Sequence, residues 1–449
     1  MEERLSVNFT RKDLRKLLIP LVIEQLLAIT VGLADSLMVA QVGEAAVSAV
    51  SLVDSVNILL INVFAALGTG GAVVAGQFIG RREMEKANRS AMQLLLFMLE
   101  VSVGITVLVY LLKGFILNVV FGDIEPDVAA YCNTYFMIVE GSTPFLAIYS
   151  AGAALFRVMG NSGISMKVSL VMNTINVTGN AILVFGLHRG VEGVAIPTFV
   201  SRVAAAVLMV VLLHNPKLPL HLDHFRFHHE KVMIKNILLF GVPNGVENSM
   251  FQLGKILLLS VVSALGTASV AANAICNTIC NFQILPGQAI GLGMVTVVAR
   301  CVGAGDYDRA RYYTRKLMRY TYIFMLLSCL LILFLMPFIL DLYNASDEAS
   351  GYAMHIIQVH TVVTILIWPL AFTLPNALRA AGDTRFTMLT SSVSMWLFRV
   401  MLGVAMVRWM DLGVVGIWYA MFVDWAVRTV IFVIRYRGHR WEISRLQDE

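Results

Sequence analysis

The chain has 449 residues, 58% of them hydrophobic and 14% charged, with a mean hydropathy of +0.76 and a formal net charge of +5. So few polar side chains cannot coat a soluble globule of this length, so lipid is the solvent for most of the chain. The positive excess sits in alternate loops, which accounts for it by membrane orientation and leaves no reason to invoke nucleic acid.

Residues 1–15 are polar and amphipathic and lead into a full-length apolar stretch, so no cleaved leader is expected and the first helix should stay as an anchor. Twelve stretches of about 20 or more apolar residues follow, the length an α-helix needs to cross the hydrocarbon core. They start near Lys16, Ser48, Arg89, Asp127, Ser165, Gly190, Ile237, Thr267, Arg319, Tyr352, Thr387 and Leu412. Basic residues crowd the amino terminus (Arg4, Arg11, Lys12, Arg15, Lys16) and every second loop: Arg81, Arg82, Lys86 and Arg89; Lys217, Arg226, Lys231 and Lys235; Arg309, Arg311, Arg315, Lys316 and Arg319. Arg435, Arg437, Arg440 and Arg445 close the chain, while loops 42–46, 121–127 and 344–350 carry no basic residue and Arg189 and Arg408 stand alone. Lys and Arg are retained on the cytoplasmic side, so both termini are expected there, with an even number of spans. The five cysteines, Cys132, Cys276, Cys280, Cys301 and Cys329, lie in or at the ends of spans without metal spacing and read as packing residues.

Displaced by 223 positions, the chain aligns with itself without a gap over some seventy residues. Pro20 meets Pro243, Glu24 meets Glu247, Gly43 meets Gly266, Gly80 meets Gly303 and Ala87 meets Ala310. At a shift of 222, Arg157 to Gly160 meets Arg379 to Gly382, and Gly193 returns to the first register with Gly416. The chain therefore reads as a duplicated six-helix unit: lobes at 1–213 and 236–449 joined by a cytoplasmic linker at 214–235. An even number of spans per unit makes the repeat parallel, with an axis along the membrane normal and a substrate cavity between lobes. The linker's His221, Asp223, His224, His228 and His229 admit a metal site, but an amphipathic interfacial stretch explains the same residues.

Ionisable groups inside spans are costly, about 2.5 to 3.5 kcal/mol at a helix centre on insertion scales, so they need partners or a task. Glu24 and Asp35 are eleven positions apart in the first span and share one face, with Pro20 a turn before Glu24 allowing a bend. A buried carboxylate on a bendable helix suits a gated cation site; the alternative for each is a permanent tie to a neighbouring Arg or to backbone. The second unit keeps Pro243 and Glu247 but has Leu258 in place of Asp35 and Lys255 in place of Gly32. Glu247 and Lys255 are thus second-lobe site candidates, or a structural ion pair bridged by Gln252 or water. Arg202, Arg399 and Asp424 are further embedded charges, which either pair across lobes or sit at span ends, and Asp54 reads as a polar packing residue near an outer cavity mouth.

Several segments together resemble a known family. Ile19 to Leu27 with Val31 to Val39 and Val42-Gly43, then Gly76 to Gly80, Gly303 to Ala310, Leu378 to Arg385, Met395 to Arg399 and Val423 to Trp425, are similar to the multidrug and toxin extrusion (MATE) transporters, particularly their bacterial DinF-like branch. The resemblance covers essentially the whole chain. It implies an all-α polytopic protein of twelve helices in two lobes in the cell (inner) membrane, exporting amphipathic, often cationic small molecules in exchange for H⁺ or Na⁺. It implies neither a cofactor nor an enzyme activity, and the chain is expected to act as a monomer in the lipid bilayer. The family's first-lobe cation site centres on a first-span Asp, which Asp35 matches. Its fifth-span pattern of Asn, three residues and Asp becomes Asn176 and Asn180 here, and its sixth-span Thr is matched by Thr198. Asp35 is then the principal coupling residue and the group that would hold Na⁺.

A lipid-linked oligosaccharide flippase shares this architecture and is the alternative; it calls for a strongly cationic cavity, whereas the first-lobe motif is acidic. No His-Glu-x-x-His, Gly-x-Ser-x-Gly or nucleotide-binding loop occurs, so a membrane-embedded enzyme and an ATP-driven pump are both disfavoured. Duplicated Pro-bearing helices argue against a simple channel.

Overall fold

The computed structural model describes residues 7–120, 125–222, 229–343, 345–442 and 446, and among these every regular element is a helix. Asp223, His224, Arg226 and His228 of the linker, and the outlying Arg4 and Arg445, fall outside these ranges. The first helix, α1 (Arg11–Ala40), starts at a reciprocal cap: Asp13 N donates to Thr10 Oγ1 at 3.2 Å, and Thr10 N donates to the Asp13 carboxylate at 2.9 Å. It continues as one helix through Pro20. There follow α2 (Glu44–Gly80), α3 (Met84–Leu111), α4 (Pro126–Glu140), α5 (Thr143–Val158), α6 (Ser162–Asn180) with a π-helical extension at Ala181–Gly186, and α7 (Glu192–Leu213). The second half of the chain contains α8 (Lys231–Ser263), α9 (Thr267–Gly303), α10 (Tyr307–Tyr343), α11 (Asp347–Leu366), α12 (Thr384–Ser394), α13 (Leu402–Arg408) and α14 (Gly413–Arg437). A π turn at Pro369–Thr373 and a short helix at Pro375–Ala380 lie between α11 and α12, and a π-helix at Met395–Met401 joins α12 to α13.

Ten helices of the described residues are long and apolar enough to cross a membrane. Two of the twelve expected stretches are not among these ten. One is divided at Gly141 and Ser142 into α4 and α5; the other is α8, 33 residues long but carrying Asn244, Glu247, Asn248, Gln252 and Lys255. Large apolar side chains face outward: Leu37 on α1 is 70% exposed and Phe334 on α10 is 83% exposed. Such a surface is at rest only in lipid, and helices satisfy their own backbone hydrogen bonds there. The molecule is an all-α, multi-pass membrane protein.

The chain separates into two compact units, Met1–Gly245 and Val246–Leu446, dividing inside α8 rather than at the linker. The first turns of α8 belong to unit 1 because they cross α2 at backbone contact. A Cβ on Gly70 would lie 2.6 Å from Gly241 N, and one on Gly241 would lie 3.1 Å from Leu67 Cα. Small residues allow this approach, as they commonly do between helices in lipid. In unit 1, α2 is the buried centre, packed by α3, α4 and α5, while α1 lies along α6 and α6 along α7. In unit 2, α9 takes the central place, against α10, α11 and the Pro375–Ala380 helix.

The duplication extends to the backbone. Left-handed residues recur in pairs: Gly43 (φ 131°) with Gly266 (96°), Arg82 (64°) with Gly305 (72°), Gly160 (78°) with Gly382 (92°), and His188 (50°) with Asp411 (55°). Glycine adopts this region without a Cβ penalty, so Arg82, His188 and Asp411 hold turns whose shape the repeat dictates rather than their own preference.

Candidate functional site

The embedded carboxylates of the sequence reading divide into two kinds. Glu24 is tied down: Arg157 Nη1 lies 3.5 Å from its Oε1, and Ser165 Oγ donates to its Oε2 at 2.9 Å. Unit 2 repeats the arrangement, with Arg379 Nη2 donating to Glu247 Oε1 at 2.6 Å. The expected ion pair between Glu247 and Lys255 does not form. Arg379 takes the carboxylate, and Lys255 stands with its Nζ 5.1 Å from the centre of the Phe251 ring. Asp424 likewise pairs within its own helix, accepting from Arg428 Nε at 2.8 Å, a partner the sequence reading passed over.

Asp35 differs: it faces a cavity. About 310 Å³ of space in unit 1 is lined by Asp35, Ser36, Asp54, Tyr135, Asn176, Thr198 and Arg202, with Val31, Val39, Val50, Leu146, Met172 and others as apolar wall. That is the low end of the volumes small ligands occupy. Asn180 Nδ2 donates to Asp35 Oδ1 at 2.8 Å. Asn176, one turn earlier on α6, satisfies its neighbours with its amide nitrogen toward the same carboxylate, 2.9 Å from Oδ1. Its oxygen then accepts from Thr198 Oγ1 at 3.0 Å, a hydroxyl that also has the Val194 carbonyl at 2.9 Å within reach. The structure thus brings together Asp35, Asn176, Asn180 and Thr198 from α1, α6 and α7, and leaves Glu24 outside the cavity lining. Two amide donors on one oxygen is the arrangement an ionised carboxylate organises. Asn180 Oδ1 is buried without a partner among the described residues. Amides can rotate their oxygens toward a bound cation or toward a protonated carboxyl, so this shell is able to answer a change of charge at Asp35.

Farther along the cavity lies a second polar group, most of it missed from sequence. Arg202 Nη1 donates to Ser142 Oγ at 2.9 Å, and both Arg202 Nη atoms reach Asn57 Oδ1 at 3.4 Å. Tyr135 Oη donates to Asp54 Oδ1 at 3.4 Å, and Thr143 Oγ1 donates to Glu140 Oε2 at 3.2 Å. Glu140, fully buried at the end of α4, was legible as an ionisable residue ending an apolar run. Asp54, expected to be a polar packing residue, lines the cavity and belongs to this network. In the linker, His221 N donates to Asn88 Oδ1 at 3.2 Å, and His229 Nε2 lies 3.2 Å from Glu100 Oε1, so both ends of that segment bind α3.

A helical membrane protein built on a duplicated unit, with a carboxylate and amides lining a cavity among its spans, has the make-up of a membrane transporter. The sequence model of the MatE family matches the chain twice, over residues 20–182 and 243–405, each boundary of the second match lying 223 residues after the first. The chain belongs to the MatE family. Among curated relatives, the uncharacterized transporter YisQ of Bacillus subtilis (strain 168) is 26% identical over 432 residues, covering 94% of this chain and 93% of that protein. The probable multidrug resistance protein NorM of Thermotoga maritima is 24% identical over 450 residues, covering 96% and 93%. Among solved structures, a MATE in its bent conformation matches with a TM-score of 0.88 at 18% identity over 97% of this chain and 96% of that one. An outward-facing multidrug resistance MATE family transporter of the MOP superfamily matches at 0.87, with 19% identity and 95% of each chain covered. These structures share the fold of this chain.

Proposed function

We propose that this protein is a secondary antiporter of the cell (inner) membrane, exporting amphipathic, often cationic compounds in exchange for H⁺ or Na⁺. In this reading the chain works as a monomer of twelve spans with both termini in the cytoplasm, and two lobes, joined through the 214–235 linker, alternate access to the two faces. Asp35 is the coupling carboxylate. The observation that supports it is the placement of Asp35 on a cavity wall, held by the turnable amides of Asn180 and Asn176 rather than by a permanent cation. A cation or proton arriving at Asp35 would turn those amides, and substrate and cation would compete for one cavity. Each elementary charge exchanged across 100 mV is worth about 2.3 kcal/mol, enough to drive export uphill. Names carried by relatives, such as the probable multidrug resistance protein of T. maritima, agree with this substrate class.

The test is export of a fluorescent cationic dye from proteoliposomes under an imposed proton gradient and then a Na⁺ gradient, comparing wild type with Asp35→Asn. Export that follows one gradient and disappears in the variant supports antiport through Asp35. The second reading, a lipid-linked oligosaccharide flippase, draws on one observation: three cations surround Phe251 in unit 2. Folded, correctly oriented protein that exports no dye under either gradient would turn the conclusion to it.

A further inference from the structure

Unit 2 holds a group of charges that Asp35-coupled antiport does not use. Lys255 Nζ, Arg399 Cζ and Arg428 Cζ lie 5.1, 5.0 and 5.9 Å from the centre of the single Phe251 ring. The acid in their midst is Asp424, whose Oδ1 is taken by Arg428 Nε at 2.8 Å and by Ser394 Oγ, while its Oδ2 has no donor among the described residues. One cation of the three is therefore neutralised by direct pairing. Arg399, nine-tenths buried, has neither a carboxylate within ion-pair distance nor a hydrogen-bond acceptor among the described residues. Its Nε is joined by the indole N–H groups of Trp396 and Trp425 as buried donors without acceptors. Unanswered donors and unpaired cations are costly inside a spanning bundle and mark sites rather than scaffolding.

The repeat shows how this group stands to the Asp35 site. At the 223-residue offset shared by the ends of the two family matches, Lys255 falls on Gly32 and Leu258 on Asp35; Arg399, where the register passes from 222 back to 223, falls on Asn176 or its neighbour Val177. In unit 2 two cations thus stand at or beside positions that line the Asp35 cavity in unit 1, and a leucine stands at the carboxylate's own position, so the duplicated unit has reversed its charge there. Arg399 also sits in the Met395–Met401 π-helix, a distortion that re-aims side chains and recurs at functional positions.

We infer that Lys255 and Arg399 form a binding site for the carboxylate of an aromatic organic anion. The planar guanidinium matches a planar carboxylate, Lys255 is exposed and adds a mobile ammonium, and the Phe251 ring between them supplies flat apolar surface for an aromatic group. This rests on the transport reading and narrows its substrates to compounds that carry an acidic group, including those that also carry a cationic one.

The test is equilibrium binding of radiolabelled 2-naphthoate to the full-length protein in nanodiscs at neutral pH, with no gradient present. Wild type is expected to bind it saturably, with 2-naphthamide a poor competitor. Affinity should fall about tenfold or more in Arg399→Gln and in Lys255→Gln, and fall less in Arg399→Lys, which keeps the charge but loses the planar fork. Arg408→Gln, exposed at the end of α13, should bind as wild type does. Equal affinity in wild type and both Gln variants, or equal competition by the amide, overturns the site. Displacement by chloride or phosphate as effective as by unlabelled naphthoate overturns the organic ligand in favour of an inorganic anion. Should Arg399→Gln fail to fold, the exposed Lys255 carries the decision alone. Dye export read on the same variants separates the two conclusions: lost naphthoate binding with intact export leaves antiport standing, and the reverse leaves the anion site standing.

Discussion

Asn180 hands its amide N–H to Asp35 Oδ1 at 2.8 Å, at a position where the family pattern has an Asp. Asn180→Leu removes that donor while keeping the side chain's bulk, and a hydrogen bond to a charged group is worth about 1.5–3 kcal/mol. Dye export in proteoliposomes should fall roughly tenfold or more. Asn180→Asp instead sets a second carboxylate beside Asp35, and two carboxylates hold a hard cation better than one. Export driven by Na⁺ should then rise relative to export driven by protons; an unchanged ratio would show that Asp35 works without reference to this position.

The Glu247–Arg379 pair is predicted to be scaffolding. Both side chains are largely buried, and Arg379 also donates to Asn376 Oδ1 at 3.0 Å. Glu247→Gln strands a buried guanidinium, a defect that costs about 3–5 kcal/mol. Thermal unfolding in detergent should move to markedly lower temperature in this variant and in Arg379→Met, and the double variant should lose less than the two singles together. Additive losses would argue that the pair is not a unit. Glu24→Gln should behave as Glu247→Gln does, since Arg157 and Ser165 hold Glu24 in the corresponding way.

Gly70 has no room to grow. A Cβ there would meet Gly241 N at 2.6 Å and Ile237 O at 2.8 Å, both of them helix backbone that cannot step aside. Gly70→Ala should cost about 1–3 kcal/mol and Gly70→Leu should abolish the monodisperse peak in size-exclusion chromatography. Gly104, with nothing within 4 Å of its Cβ position, should accept Ala with no such loss.

Beyond α14 the chain is fastened back to unit 2 by Glu442, which meets Arg311 Nε and accepts from His439 at 2.6 Å. Burial opposes the charged carboxylate, but the His439 and Arg311 hydrogen bonds and the Arg311 charge outweigh it and hold Glu442 below its ordinary value of 4.5. A depressed folded value means the contribution is complete above 4.5 and disappears as pH falls through the lower folded value. Trp441, buried beside Tyr436 with ring centres 5.3 Å apart, reports on the segment. Its fluorescence, isolated by replacing the other tryptophans with Phe, should be constant at neutral pH and shift toward that of exposed indole only in acid. Glu442→Gln should show the exposed signal already at neutral pH.

Much of the candidate site was legible as a set of residues and not as a set of contacts. Asp35, Asn176, Asn180 and Thr198 were recognisable one by one from motif positions on three separate spans, and the fold gathers them. Glu24 and Glu247 stood out equally, because any carboxylate in an apolar run does. Their partners, Arg157 and Arg379, were visible as a repeated pair, yet nothing local joined them to acids more than a hundred residues away. Lys255 shows the opposite error: Glu247 is two turns off on nearly the same face, but Arg379 reaches that carboxylate from another helix and leaves the lysine to Phe251.

Membrane residence, helical class and duplication follow from the order of residues alone. Lipid offers no hydrogen bonds, so each span must be apolar and satisfy its own backbone, and that requirement is met locally, residue by residue. A repeat is likewise a property of order, and the paired left-handed turns repeat it in backbone form. Tertiary structure decided which ionisable groups are spent on one another and which are left facing a cavity. Each residue turns a helix by about 100°, so a small change in rotation or crossing exchanges one partner for another, and such choices are settled only when the helices pack.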